Sequence, residues 1–168
     1  QFVQADAASR RGLTQVLGLM TLLPGFEVSE NTIAATSLDG AELLLGVSFP
    51  PAFREISLRH DGTCGDCEFS VPGSAVPGAI GVWLSFLPWT QDSVWSTLAT
   101  WPEHGLPKSV IPFGTDGGGN LVCLDYRMGS SPSVVIWHHE LPGTEGLYPV
   151  AASFDQWLLS LVAVGDEA

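Results

Sequence analysis

The chain has 168 residues, 45% of them apolar and 10% aromatic, and carries 18 acids against six bases for a formal charge of −12. A chain of this length buries about 70% of its unfolded surface, so one globular domain is expected and disorder is excluded. The charge argues against direct nucleic-acid binding, because phosphates are repelled, and it suits a cationic protein partner, although it also serves solubility alone.

The asymmetry has a pattern. Between Arg59 and Lys108 there are five acids and no base, and after Arg127 five more acids and again no base. Three cysteines make no disulfide framework and there is no N-x-S/T sequon, so a reducing, cytoplasmic setting is expected.

In chain order, Ser9-Arg10-Arg11 precedes an apolar run from Leu13 to Leu23, an arrangement shared with export signals. Leu13, Val16, Leu17 and Met20 fall at helical spacing, however, and Thr14, Gln15 and Thr21 interrupt a run too short to span a membrane. A folded helix from about Ser9 to Leu22 is expected, stopping before Pro24. Phe26 to Ala35 reads as irregular or extended. A second helix is expected from Asp39, with Glu42 completing a capping box and Gly46 ending it. Pro51 opens a third helix that buries Phe53 and Ile56 and gives way at His60-Asp61-Gly62.

From Thr63 the pattern turns to strands and loops. Cys67 to Val71 reads as a strand, Pro72 to Gly78 as a loop, and Ile80 to Leu87 as a strand with Val82, Leu84 and Phe86 opposite Trp83. Asp92 is expected to cap a fourth helix that turns Val94, Trp95, Leu98 and Trp101 inward until Pro102. The stretch from Ser109 to Arg127 sets two apolar runs either side of Gly114-Thr-Asp-Gly-Gly-Gly-Asn120 and predicts a hairpin. Ser133 to His139 is a further strand. Ser153 opens a last helix with Phe154, Trp157, Leu158, Leu161 and Val162 on one face. Helices followed by hairpin-linked strands predict an α+β fold, mainly an antiparallel sheet of five to six strands with helices packed on it.

Chemical motifs are sparse. Cys64-Gly-Asp-Cys67 has metal or redox spacing but no second pair, and His60 and Cys123 are the residues left to complete a zinc site. Two loop thiols are the plainer reading. His138-His139-Glu140 does not form a zinc helix motif, because neighbours on a strand face opposite ways. One of these histidines is expected to be packed and one exposed. The glycine loop lacks the Lys-Ser/Thr of a phosphate loop, and Asp116, Asn120 and Asp125 miss calcium-loop spacing. No nucleophile elbow occurs. No catalytic, cofactor-binding or metal residue is expected.

Three blocks resemble the SMI1/KNR4 family, also called the SUKH superfamily. The first is Ala41 to Gly62, with its LG-x-x-x-P link between two helices and its terminal DG. The second is Ile111 to Asn120 with Cys123-Leu-Asp125 behind it, and the third is Pro132 to Glu140 followed by Ala152 to Leu158. The resemblance covers about residues 38–163, which makes residues 1–37 an extension packed on a domain of residues 38–168. It implies a non-enzymatic bacterial immunity protein that binds and neutralises a cognate secreted polymorphic toxin domain, a nuclease or other toxic enzyme, with no membrane association. The alternatives are a protein-interaction scaffold of the fungal type, and a small zinc or thiol protein using Cys64 and Cys67.

Acids on loops in a region without bases mark Asp61, Asp66 and Glu68 as partner-binding candidates, with Asp116 at the hairpin tip. Trp89, in the turn after Leu87-Pro88, is the tryptophan expected to be exposed, and aromatic anchors commonly dominate interfaces. The glycine turn itself reads as architectural, with a bulky residue at Gly118 expected to cost folding more than binding.

Overall fold

A computed structural model of the chain describes residues 22–30 and 32–165. The expected helix over 9–22 lies outside the described residues apart from its last position. Four helices and seven strands follow in the order α1 (Ala35–Leu45), α2 (Pro51–His60), β1 (Cys64–Phe69), β2 (Gly78–Trp83), α3 (Val94–Thr100), β3 (Val110–Thr115), β4 (Leu121–Asp125), β5 (Ser133–Trp137), β6 (Leu147–Ala151), α4 (Phe154–Leu159) and β7 (Val162–Ala163). Short 3₁₀ turns cover Trp101–His104 and Gly143–Gly146.

The strands form one antiparallel sheet in the order β6-β5-β4-β3-β2-β1-β7. Neighbours in sequence are mostly neighbours in the sheet, as hairpin connections require. The exception is the return from β6: the chain crosses the sheet through α4 and pairs β7 with β1 at the far edge. The fold is α+β as predicted, with more strands than expected because β6 and β7 were not legible. The segment leading into β6 is rich in Pro and Gly, and Pro149 is tolerated because β6 is an edge strand.

The core is organised on Phe53. Its ring lies 4.9–6.1 Å from those of Phe49, Trp83, Phe86, Phe113 and Phe154. One side chain of α2 thereby joins β2, β3 and α4, and each aromatic contact adds about 0.5–1.5 kcal/mol beyond the area it buries. A second cluster of Val110, Leu121, Cys123, Val135 and Trp137, capped by Trp101 and Leu106, fills the other face of the sheet. The middle strands are therefore covered on both sides, which is why β4 reads as a continuous apolar run rather than an alternating one.

Several local expectations are corrected. Helix α1 starts at Ala35, not Asp39, and Asp39 and Glu42 do not form a capping box. Both carboxylates instead accept from the Arg54 guanidinium at 2.6 Å, tying α1 to α2. The α3 cap is Ser93, whose hydroxyl accepts from the Ser96 amide at 3.0 Å, one residue after the expected Asp92. Strand β1 begins three residues earlier than expected, and β2 ends at Trp83 rather than Leu87. Trp83, Leu84 and Phe86 all enter the main core, so the expected opposition of faces fails where the regular strand ends. Helix α4 stops at Leu159; Leu161 still packs, but Val162 turns out at 63% exposure and pairs with Glu68.

The glycine turn closes on Asp116. Its Oδ1 accepts from the Gly118 and Asn120 amides and its Oδ2 from the Asn120 side chain, all at 2.8 Å. The turn is architectural, but the sensitive position is Gly119, with φ of +90°, and not Gly118, where an added Cβ meets only an ordinary contact at 3.4 Å. Gly119→Val should lower unfolding free energy by roughly 1–2 kcal/mol through backbone strain. Gly118→Ala should stay within about 0.5 kcal/mol, as at an unremarkable surface site, and urea unfolding of the two variants separates these outcomes.

Candidate partner-binding cleft

Two consecutive buried polar residues close helix α2: His60, its last residue, and Asp61, its C-cap. His60 is wholly buried and Asp61 is 5% exposed. They reach in different directions. The His60 Nδ1 donates to the Glu27 carbonyl at 2.6 Å, and its Nε2 accepts from the Leu23 amide at 3.0 Å. This fixes a neutral imidazole with its proton on Nδ1. Asp61 accepts from the Ser85 hydroxyl at 2.6 Å and from the Phe86 amide at 2.7 Å.

Each residue thus pins one wall of an open cleft. On the His60 side, the Glu27 amide donates to the Cys64 carbonyl and the Ser29 amide to the Arg59 carbonyl at 2.7 Å, which sets the extended segment 26–30 along the start of β1. On the Asp61 side, Ser85 passes its support on by accepting from the Leu87 amide at 3.0 Å. The Thr90 hydroxyl donates to the Leu87 carbonyl at 2.8 Å and closes the Pro88-Trp89 turn.

The cleft between these walls has a volume of about 860 Å³ and is lined by Glu27, Val28, Glu30, Cys64, Leu87 and Trp89 among others. Trp89 is 78% exposed and Val28 54%. Among the described residues, neither Lys nor Arg lines it. Burial lowers the His60 pKa, aided by the nearby Arg59 charge and opposed by the hydrogen bond to Glu27. Burial raises that of Asp61 against its two hydrogen bonds.

The five candidates read from the sequence do not come together. Asp61 and Trp89 share this cleft, but Asp61 is not the surface acid expected, because its carboxylate is buried and used internally. Asp66 and Glu68 are exposed on β1, outside the cleft lining. Asp116 sits in another groove, of about 710 Å³, with Asn120, His138, His139 and Glu140. Both histidines there are half-buried, contrary to the expected one-in, one-out pattern, because β5 ends at Trp137 before them. His139 Nδ1 lies 3.3 Å from the Asn120 side-chain oxygen, and His138 packs edge-on to Tyr148. Glu27, Val28 and Glu30 were missed, since nothing in an irregular segment signals which loop it will face.

The thiols are apart in chemistry as well as in space. Cys64 is exposed, whereas Cys67 is buried, donates to the Pro24 carbonyl, and has its pKa pushed to about 11 by burial and by Asp66. Cys123 lies in the second cluster on the other face of the sheet. His60 has both ring nitrogens engaged. Among the described residues no three His, Cys, Asp or Glu side chains are placed to hold a metal ion. No helix among them is long and apolar enough to cross a membrane.

A helix-on-sheet α+β domain with an acid-walled aromatic cleft is the class of protein these features define. The model of the SMI1 / KNR4 family (SUKH-1) matches residues 32–160, and the chain belongs to that family. The chain is also similar to the SPbeta prophage-derived uncharacterized protein YokK of Bacillus subtilis (strain 168), at 33% identity over 73 residues. That match covers 43% of this chain and 36% of the relative, so it spans about a third of the relative's length. The family region begins at 32, and Leu23 and Ile33 are buried in the main core, so part of the stretch before residue 38 packs into the domain.

The buried histidine has a pH signature. Its pKa is lowered on folding from the ordinary 6.5, so unfolded chains take up a proton that folded ones resist. His60 therefore costs no stability above that value and removes it as pH falls below. Asp61 acts with the opposite sign, favouring the fold below the ordinary 3.8 and losing that contribution as pH rises through its raised folded value. Between about pH 7.5 and 5.5, across the ordinary imidazole range, the melting temperature of the native chain should fall more steeply than that of His60→Gln. Parallel curves would show that His60 does not titrate with unfolding.

Proposed function

We propose that this protein is a non-enzymatic immunity protein. It binds and neutralises a cationic toxin domain secreted by its own cell lineage, acting in the cytoplasm of the producing bacterium. The observation that carries the reading is the cleft of a SUKH-1 fold, in which an exposed tryptophan stands among acids with no base beside it among the described residues. The overall charge of −12 extends that field over the molecule and favours fast capture of a basic partner. Two of the four described bases are already used internally, Arg54 by Asp39 and Glu42 and Arg127 by Asp125. The likeness to a prophage-derived protein fits genes that travel with such systems.

The expected partner is the variable C-terminal domain of a large secreted protein encoded beside this gene. Co-expression should restore growth to cells making that domain, and the two should co-purify. Association measured by stopped flow should slow by roughly tenfold between low and physiological ionic strength, as steered encounter requires. Continued killing without a co-purifying complex would sink the proposal.

A further inference from the structure

We infer that the cleft between segment 26–30 and the 87–90 turn is the docking surface for an arginine side chain presented by a loop of a basic protein. Trp89 stacks on the guanidinium, and Glu27 and Glu30 pair with it. This rests on the binding role proposed above and names the surface that performs it.

The starting observation is apolar. A tryptophan ring at 78% exposure and a valine at 54% line the same cleft and present apolar surface to water there. Exposed aromatic anchors of this kind carry a disproportionate share of interface energy. The turn that presents Trp89 is not loose. It is held by Thr90 to Leu87, by Leu87 to Ser85, and by Ser85 to buried Asp61. The facing wall is held through His60 and the Glu27 and Ser29 amides. Two preset walls lower the ordering cost of binding.

Charge then selects the occupant. Glu27 and Glu30 are exposed in the cleft lining, and no base lines the cleft among the described residues. The Asp61 carboxylate beneath them has partners for both oxygens, so it contributes field rather than contact. An acid-rimmed aromatic face fits arginine better than lysine, because the flat, weakly hydrated guanidinium stacks on indole and pairs with carboxylates at its edge. The two other candidate acidic surfaces lack this combination. Asp116 spends its carboxylate on its own turn, in a groove shared with two histidines. Asp66 and Glu68 lie outside the lining that contains Trp89.

The test measures affinity for the neighbouring toxin domain by calorimetry in three proteins: Trp89→Ala, the pair Glu27→Gln/Glu30→Gln, and the pair Asp66→Lys/Glu68→Lys. All the substituted side chains are exposed, and unchanged melting temperatures verify folding. A second arm titrates the native chain with a short blocked arginine peptide and with its citrulline counterpart, following tryptophan fluorescence. The cleft variants should lose at least about tenfold in affinity, as hot-spot residues do, and only the arginine peptide should change the fluorescence, with Trp89→Ala abolishing the change. Full toxin affinity in both cleft variants overturns the assignment, as does equal binding of the citrulline peptide. Loss confined to the Asp66/Glu68 pair would leave the immunity role intact and move its surface to β1. Failure of the native chain to bind the toxin domain would remove the role itself.

Discussion

Everything that shapes the cleft depends on the last residue of α2 and the one that caps it. His60 and Asp61 are neighbours in the chain, yet they hold opposite walls, one gripping the segment before α1 and the other the segment after β2. Both are buried, and buried polar groups are tolerated only when their hydrogen bonds are made. That requirement converts into positional control. If either wall shifts, a buried imidazole or carboxylate loses its partner, at a cost of about 1–3 kcal/mol for each group left unpaired.

The helix end is fixed because the helix is. Phe53 sits among rings from β2, β3 and α4, and Pro51 opens α2 where its missing amide proton is not needed. The Arg54 guanidinium then clamps α1 across the surface. Below the helices, β3, β4 and β5 are packed on both faces and supply a stiff floor. The crossing of α4 and the return of β7 close the sheet edge beside β1, the strand against which the 26–30 wall is laid. Function on such a scaffold resides in loops positioned by rigid elements.

Charge and shape act together here. The acids outnumber the bases threefold, so the field around the molecule is negative. A diffuse negative field speeds encounter with any cation and discriminates poorly among them. The aromatic cleft adds the geometric selection that a field lacks.

The sequence by itself determined the α+β class, the family blocks, the central hairpin, the start of α2 at Pro51 and the exposure of Trp89. These follow from local rules: apolar periodicity, proline and glycine stereochemistry, and a turn residue with no apolar partner nearby. It misplaced the α1 and α3 caps, ran α4 on into β7, and read Asp61 as a surface acid. All but the α3 cap, which a local Ser93–Ser96 capping box took from Asp92, have one cause. Asp39, Glu42, Asp61 and Val162 obey partners that lie far along the chain or across the sheet, namely Arg54, Ser85, Phe86 and Glu68. The tertiary structure alone decided that Glu27 and Trp89 face a common cleft. Sixty-two positions separate them, and only the packing of α2 against the sheet brings their segments to either side of His60 and Asp61.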